Sequence, residues 1–432
     1  MAVITNCLPS QSDFVNPFRR PALKRTVLLA ASFAWIITAN SSPIAAENPV
    51  EKDVVQITHP KTLGVDHLKV ERIAVGVPED YKPCLAKLPN GELLLTGFYA
   101  PSKGGVSAEY CFLYRSRDGG RTWSDRRNLD ILGREPYFSV MSDGTLFIST
   151  HVLPAARGNS EGYTYSYLYR SADGGRHWQG TKIAYSEILA AARKDGKRPE
   201  KATAITGRNV LELNDGSLLF TVASQNGSET LWRSQDKGVT WDKTLTCNFD
   251  TVDSANYPWA VLQEATLWQA SDGQLLAVCR VSSKAFPALE GTDIPQENVD
   301  HYERMVLYRS KDEGRNWKYE EIGSHYGEMY QHLLRLNDGR LLFTFTMRAA
   351  VEPQKPPLGV RAVLGVEQPD GFVFQFQQDR IELDTKTALG QHSGGGFGNT
   401  VQLDDGTLVT ACSYRLADST THCEVIRWQL EE

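Results

Sequence analysis

Six apolar hairpins in this chain turn on an Asn-Gly or Asp-Gly pair, at Asn90, Asp143, Asp215, Asp272, Asp338 and Asp405. The residues eight places before the six turns are Lys82, Glu135, Gly207, Glu264, Tyr330 and Phe397. This is a polar set for positions that should open the innermost strand of each hairpin. Polar groups that converge from several strand starts suggest a site. Glu135 and Glu264 could form a pair of carboxylates for acid and base work. Tyr330 belongs to the hairpin after that of Glu264, which could activate its hydroxyl as a nucleophile. His332 follows two residues later, on the same strand face by simple alternation, and offers an acid or base near neutrality. Arg134 and Arg208 also lie near strand starts and could bind an anion. Taken singly, Tyr330, His332 and Glu135 would more often serve packing or capping.

The elements that must hold these residues are legible in two interleaved repeats. The phrase S-x-D-x-G-x-x-W occurs four times, from Ser116 to Trp123, Ser171 to Trp178, Ser234 to Trp241 and Ser310 to Trp317. Ser and Asp can close a turn by bonding to amides a few residues on, Gly supplies the backbone angle, and Trp wedges between sheets. These residues are read as structural. The Asn-Gly and Asp-Gly hairpins alternate with the tips at spacings of 53 to 72 residues. That suits one four-stranded antiparallel sheet per unit. The expected fold is all-β, a six-bladed β-propeller. The fifth unit has a degenerate tip around Pro369-Asp370-Gly371, and the sixth ends in a plain strand, Cys423 to Trp428. An orphan strand, His67 to Val75, is expected to complete the last blade and close the ring.

Bulk properties narrow the function. Arg19, Arg20, Lys24 and Arg25 precede an apolar run from Thr26 to Thr38, followed by small residues through Ala46. This reads as a secretory signal over 1–46, then a linker over 47–64 and the propeller over 65–432. An uncleaved membrane anchor is the alternative, and no later segment is long and apolar enough to span a bilayer. The 432-residue chain carries net charge −6; residues 1–46 hold four cations and one anion, so their removal leaves −9. A mildly acidic exported product is a poor nucleic-acid binder. Six of the seven cysteines remain after cleavage. Cys412 and Cys423 could pair across adjacent strands or stay as free buried thiols. No spacing resembles a zinc site, and neither metal nor cofactor is expected. Two insertions, Lys182 to Lys201 with a short helix around Glu187 to Arg193, and Ser282 to Asp300, are long enough to wall a binding site.

The repeated tip, the six hairpin units and the leader resemble the sialidase (neuraminidase) superfamily over residues 65 to 432. The resemblance implies three Arg that clamp a sugar carboxylate, a Tyr nucleophile beside a Glu, and an Asp acid/base. Glu264 matches the family's Glu, and Arg280, sixteen residues on, matches a family Arg. The first-blade aromatic-Arg-Ile-Pro phrase stands here as Tyr81-Lys82-Pro83, in which Lys82 supplies charge without a fork. The fifth-blade Arg would be Arg361 or Arg348. The Tyr position holds Phe397, and the stretch Tyr99 to Glu109 contains no Asp. Tyr330, His332, Glu135 and Arg208 are therefore the replacements at hand. The resemblance implies a secreted glycoside hydrolase acting on a terminal, anionic sugar. The alternative is a propeller that binds glycans without catalysis. The expected partner in either case is a glycan, and the sequence leaves the oligomeric state open.

Overall fold

Each of the six Asn-Gly or Asp-Gly turns closes in the same way. The side chain of the first residue accepts the amide two residues on, at 2.9 Å for Thr145 on Asp143 and 3.1 Å for Glu92 on Asn90. The glycine then takes φ between +79° and +88°, which only glycine adopts without strain. The four Ser-x-Asp tips are equally regular. The Ser hydroxyl donates to the Asp at 2.8 Å in every copy, and the Asp accepts the amide four residues on at 2.8 to 3.0 Å. These aspartates are occupied by their own turns, as a structural role requires.

The computed structural model describes residues 54–430, apart from 102–109, 157, 160–161, 185–203, 225–228, 250–263, 283–302, 350–356, 369–370, 389 and 392–394. The leader, the helix expected within Lys182 to Lys201, nearly all of the Ser282 to Asp300 insertion and most of the degenerate tip lie outside the described residues. Within them the regular elements are strands. Asp80–Lys87, Leu93–Tyr99, Tyr110–Ser116 and Arg127–Asn128 form a four-stranded antiparallel sheet, and Arg134–Val140, Leu146–Val152, Tyr165–Ser171 and Gln179–Ile183 form a second. A third is built on Leu218–Ser224, Glu229–Ser234 and Asp242–Thr246, with Ala204–Thr206 and Leu211–Glu212 beside the first of these. The fourth contains Thr266–Gln269, Leu275–Ser282, Glu303–Ser310 and Asn316–Glu320, and Asn248–Phe249 joins its outer strand in parallel.

The remaining strands make one ten-stranded sheet. One end of it is Glu328–Arg335, Leu341–Met347 and Gly359–Gln368; the other is Thr400–Gln402, Leu408–Arg415 and Thr421–Trp428. His67–Val75 pairs antiparallel with Thr421–Trp428, setting Val70 opposite Trp428. Val54–Thr58, read from sequence as linker, is a strand that pairs with both His67–Val75 and Arg380–Ile381. Its alternating Val55 and Ile57 are buried and help join the two ends.

Apolar clusters fill the spaces between successive sheets. Leu94 and Phe98 meet Tyr137 and Phe138; Phe147 meets Phe220; Leu231 meets Leu275 and Trp317; Val278 meets Phe343; Leu342 meets Leu408. Leu93 and Phe112 of the first sheet meet Val409 and Val425 of the last strands. Trp317 is 1% exposed, stacks on Phe249 and donates its ring N–H to Gly314 O at 2.8 Å. Truncating it should cost about 3–5 kcal/mol, as for other buried aromatics. Urea unfolding of Trp317→Ala checks this, and an unchanged midpoint would contradict the wedge role.

The last hairpin also decides between the two thiol readings. Cys412 lies opposite Glu424 and Cys423 opposite Ser413. Neighbouring residues of a strand point to opposite faces, so the two thiols lie on different sides of the sheet. All six described cysteines are buried thiols.

Candidate functional site

The strand starts singled out in the sequence share a rare backbone state. Lys82, Glu135, Glu264 and Tyr330 have φ of 47°, 56°, 59° and 61°. Positive φ is uncommon outside glycine and costs energy for a residue such as Tyr. Three of the four sit where the pairing register slips by one residue, between Tyr81 and Cys84, Arg134 and Tyr137, and Met329 and His332. A bulge of this kind bends the strand and re-aims a side chain. In the third sheet the position is Gly207, where a Cβ would lie 2.0 Å from Thr221 Oγ1; Arg208 follows it. Phe397 is flanked by Gly396 and Gly398 at φ of +83° and +60°.

The re-aimed side chains meet. Lys82 Nζ donates to Glu135 Oε1 at 2.5 Å and to Tyr330 Oη at 2.9 Å. Arg208, 2% exposed, bridges the two carboxylates, with Nη1 3.1 Å from Glu135 and Nη2 2.8 Å from Glu264. Arg280 donates to the other oxygen of Glu264 at 3.1 Å, the pair expected from the sixteen-residue spacing. It also forks onto Glu303 through both Nε and Nη2. Arg134 approaches Glu135 at 3.7 Å. The Tyr330 ring is surrounded by cations, with Lys82 Nζ 4.2 Å and the Arg208, Arg280 and Arg348 guanidinia 5.4, 5.8 and 5.4 Å from its centroid. Phe397 packs edge-on against Tyr330 and beneath Arg208, 4.7 Å from that guanidinium. Phe397 thus gives the Arg208 charge an aromatic face.

The cations set the protonation of the acids. Burial pushes the Glu135 carboxyl up, but Lys82, Arg208 and Arg134 outweigh it and hold the group well below the carboxylate range. Burial also opposes ionisation of Glu264, and Arg208 and Arg280 bring it down to about 2. Both acids stay ionised near neutrality, so each acts here as a fixed negative charge rather than a proton donor.

Two expected site residues are placed elsewhere. Arg361 is fully buried inside its sheet, where its Nε lies 2.7 Å from Glu382 and its Nη1 donates to Asp384 O at 3.0 Å. Its charge is met within the core and does not reach the Tyr330 cluster. The His332 ring lies 3.1 Å from Tyr137 Oη and 3.0 Å from Thr400 O. The register slip after Met329 breaks the alternation that would have set it on the face of Tyr330. Arg348 does reach the cluster, and its Nη1 donates to Tyr81 Oη at 3.4 Å. Tyr81, Glu303 and Arg415, whose guanidinium carbon lies 5.5 Å from the Tyr81 ring centre, were not among the expected site residues. A signal existed for Glu303, because Arg280 faces Met305 across the ladder and Glu303 is its diagonal neighbour.

Burial lowers His332 to about 4, and lowers His151, aided by Arg208, also to about 4. Unfolding would return each ring to its ordinary value near 6.5. The unfolded chain then binds more protons between these values, so stability should fall as pH drops from about 6.5 to about 4. Urea titrations across that interval test this; His332→Gln should flatten the fall. A flat wild-type profile would contradict it.

Among the described residues, one group of acids and thiols is close enough to share an ion: Asp384, Cys412 and Glu424. Arg72 already donates to Glu424 at 2.6 Å and Lys386 also pairs with it, so side-chain cations fill that role.

Ser-Asp tips on four successive antiparallel sheets, with one charged cluster drawn from their strand starts, define an Asp-box protein. The family model described as a BNR repeat-like domain matches residues 77–341, more than half of the chain, and the chain belongs to that family. No curated protein matches its sequence. Among solved structures it is similar to a Dyadobacter fermentans protein of unknown function, with TM-score 0.59, 20% identity, and coverage of 84% of this chain and 98% of that one. It is similar to a Fusarium graminearum GH93 α-L-arabinofuranosidase solved with arabinobiose, with TM-score 0.52, 14% identity, and coverage of 87% and 97%. A Hadza microbial sialidase matches with TM-score 0.52 and 16% identity, over 81% of this chain and 65% of its own. At such identities the likeness is one of fold.

Proposed function

We propose that this protein is an exported glycoside hydrolase of the sialidase-like type, acting on a terminal, anionic sugar at the hub of a six-bladed ring. The observation that carries the reading is the junction of Lys82, Glu135, Arg208, Glu264, Arg280 and Tyr330, drawn from separate sheets into one bonded cluster. The pairing of His67–Val75 with the C-terminal strand and the apolar contact between first sheet and last strands support closure of the ring. The leader over 1–46 supports export, and no described helix is long and apolar enough to cross a membrane.

In this reading Tyr330 is the nucleophile. Lys82 donates to its oxygen and holds it in place, and a phenol hydroxyl approaches an anionic sugar without the repulsion a carboxylate would meet. Glu135 and Glu264 hold Lys82, Arg208 and Arg280 in place. The fold also serves an arabinofuranosidase and a sialidase, which supports glycoside chemistry without fixing the sugar. The test is release of a reporter from a panel of sialosides and other glycosides. Turnover on an anionic member, abolished by Arg280→Ala, is expected; no turnover on any member would defeat the reading. Binding on a glycan array without turnover would favour a non-catalytic glycan-binding propeller. The engagement of both carboxylates by cations, which leaves no protonated acid among them, favours that second reading.

A further inference from the structure

The residue just before each Ser-x-Asp tip is an arginine in all four copies: Arg115, Arg170, Arg233 and Arg309. Closing the tip does not require it. In three of the copies its side chain reaches the next tip. Arg115 Nη2 donates to Gly174 O at 2.5 Å, Arg170 Nε donates to Lys237 O at 2.8 Å, and Arg233 Nη1 lies 3.9 Å from the Glu313 carboxylate. Gly174, Lys237 and Glu313 hold one position, three residues after the Ser of the following tip. With Gly119 of the first tip, they have φ between +59° and +69°. Lys and Glu adopt that angle at a cost, and sharing it turns the carbonyl the same way at each tip. Arg309, beside the degenerate fifth tip, forks onto Glu320 instead. The last unit has no tip, yet it keeps the arginine. Trp428 pairs with Leu408 as Ser116 pairs with Leu93, so Arg427 stands where Arg115 does. Its Nη1 donates to Gly119 O of the first tip.

We propose that these arginines latch each sheet to the next, and that Arg427 on the first tip is the clasp that shuts the ring. This rests on the closed ring in the reading above and not on its chemistry. Three distant segments meet at the clasp. Arg427, 4% exposed, also donates Nε to Glu71 at 2.9 Å, directly across the ladder on His67–Val75. Arg121 of the first tip approaches the same carboxylate at 3.3 Å. The several donors of one guanidinium let Arg427 hold a carboxylate and a carbonyl together. A Cβ at Gly119 would lie 2.9 Å from Arg427 Nη1, so a bare glycine admits the arginine. Glu71 and Arg427 are 356 residues apart, and their strands are joined by pairing rather than by a short turn. Such a junction is where local opening should begin. It also borders the hub. A Cβ on Gly396 would lie 3.3 Å from Lys82 Cα, so opening here parts the Phe397 segment from Lys82.

Hydrogen exchange read by mass spectrometry on the full-length protein tests this. In Arg427→Met, amides of His67–Val75, of the first tip over 116–123 and of Thr421–Trp428 should exchange about tenfold or more faster than in wild type, as expected for losing hydrogen bonds from a charged donor. Arg170→Met is the comparison, and its faster exchange should centre on the third tip over 234–241. Glu71→Gln leaves Arg427 its bond to Gly119 and should speed His67–Val75 and Thr421–Trp428 by a smaller factor. It also stands in for Arg427→Met should that variant not fold. Wild-type exchange at the first tip in Arg427→Met, wild-type exchange at both strands in Glu71→Gln, or acceleration spread evenly over every sheet would overturn the proposal. Reporter release by wild type, with the first tip unaffected in Arg427→Met, would sink the clasp and spare the hydrolase reading. Acceleration at the first tip in that variant, with no release by wild type, would do the reverse.

Discussion

Replacing Glu264 by Gln is expected to lower kcat/KM by roughly 100-fold to 1000-fold, the range for losing one preorganised electrostatic group. The amide keeps the shape of the carboxylate but removes the negative charge that Arg208 and Arg280 share. With that charge gone, Arg208 keeps Glu135 and Arg280 keeps Glu303, and the carboxylate that joins the two beside Tyr330 is lost. The variant should also be less stable by about 3–5 kcal/mol, because breaking a buried ion pair leaves its partners uncompensated. The acid limb gives an independent check. The Glu264 carboxyl is lowered in the fold from 4.5 to about 2, so its contribution is complete above about 4.5 and is lost as pH falls towards 2. Urea unfolding between those values should show a smaller loss in Glu264→Gln than in wild type. A variant with wild-type activity and an unchanged acid limb would remove the charge from the account.

Tyr330→Phe is expected to abolish turnover nearly completely while leaving substrate binding close to wild type. The hydroxyl accepts from Lys82 at 2.9 Å, and the ring remains to pack against Phe397. A group needed only as the bond breaks lowers kcat and kcat/KM together and spares KM. Loss of one hydrogen bond to a charged donor should cost about 1.5–3 kcal/mol of stability. If Tyr330 only packs, the variant will turn over normally and show the stability loss alone; rates and denaturation curves on the same preparation separate the outcomes.

The fold was legible because its punctuation is local. A Ser-x-Asp tip or an Asp-Gly turn closes on amides two to four residues away, and four tips and six turns repeat the same chemistry. Val54–Thr58 was not legible, since it is five residues long and one of its two pairing partners, Arg380–Ile381, lies more than 300 residues away. The site was legible to the extent that it follows the same punctuation. The constant offset of eight residues from the turn found Lys82, Glu135, Glu264 and Tyr330, all of which hold positive φ. It failed for His332 because the bulge at Tyr330 adds a residue and shifts the alternation. Arg361 failed for another reason. A basic residue in an apolar strand looked available, but its partner Glu382 comes from a neighbouring segment and meets the charge inside the core. Arg415 and Tyr81 escaped notice because their approach is made between sheets, which no local pattern encodes.

We propose that one cluster at the strand starts grips a sugar acid. A crystal structure of the protein soaked with N-acetylneuraminic acid tests it most directly. Density for the sugar is expected beside Tyr330, with Glu264 still held by Arg280. Sugar bound on another face, with the Tyr330 cluster unchanged, would contradict it.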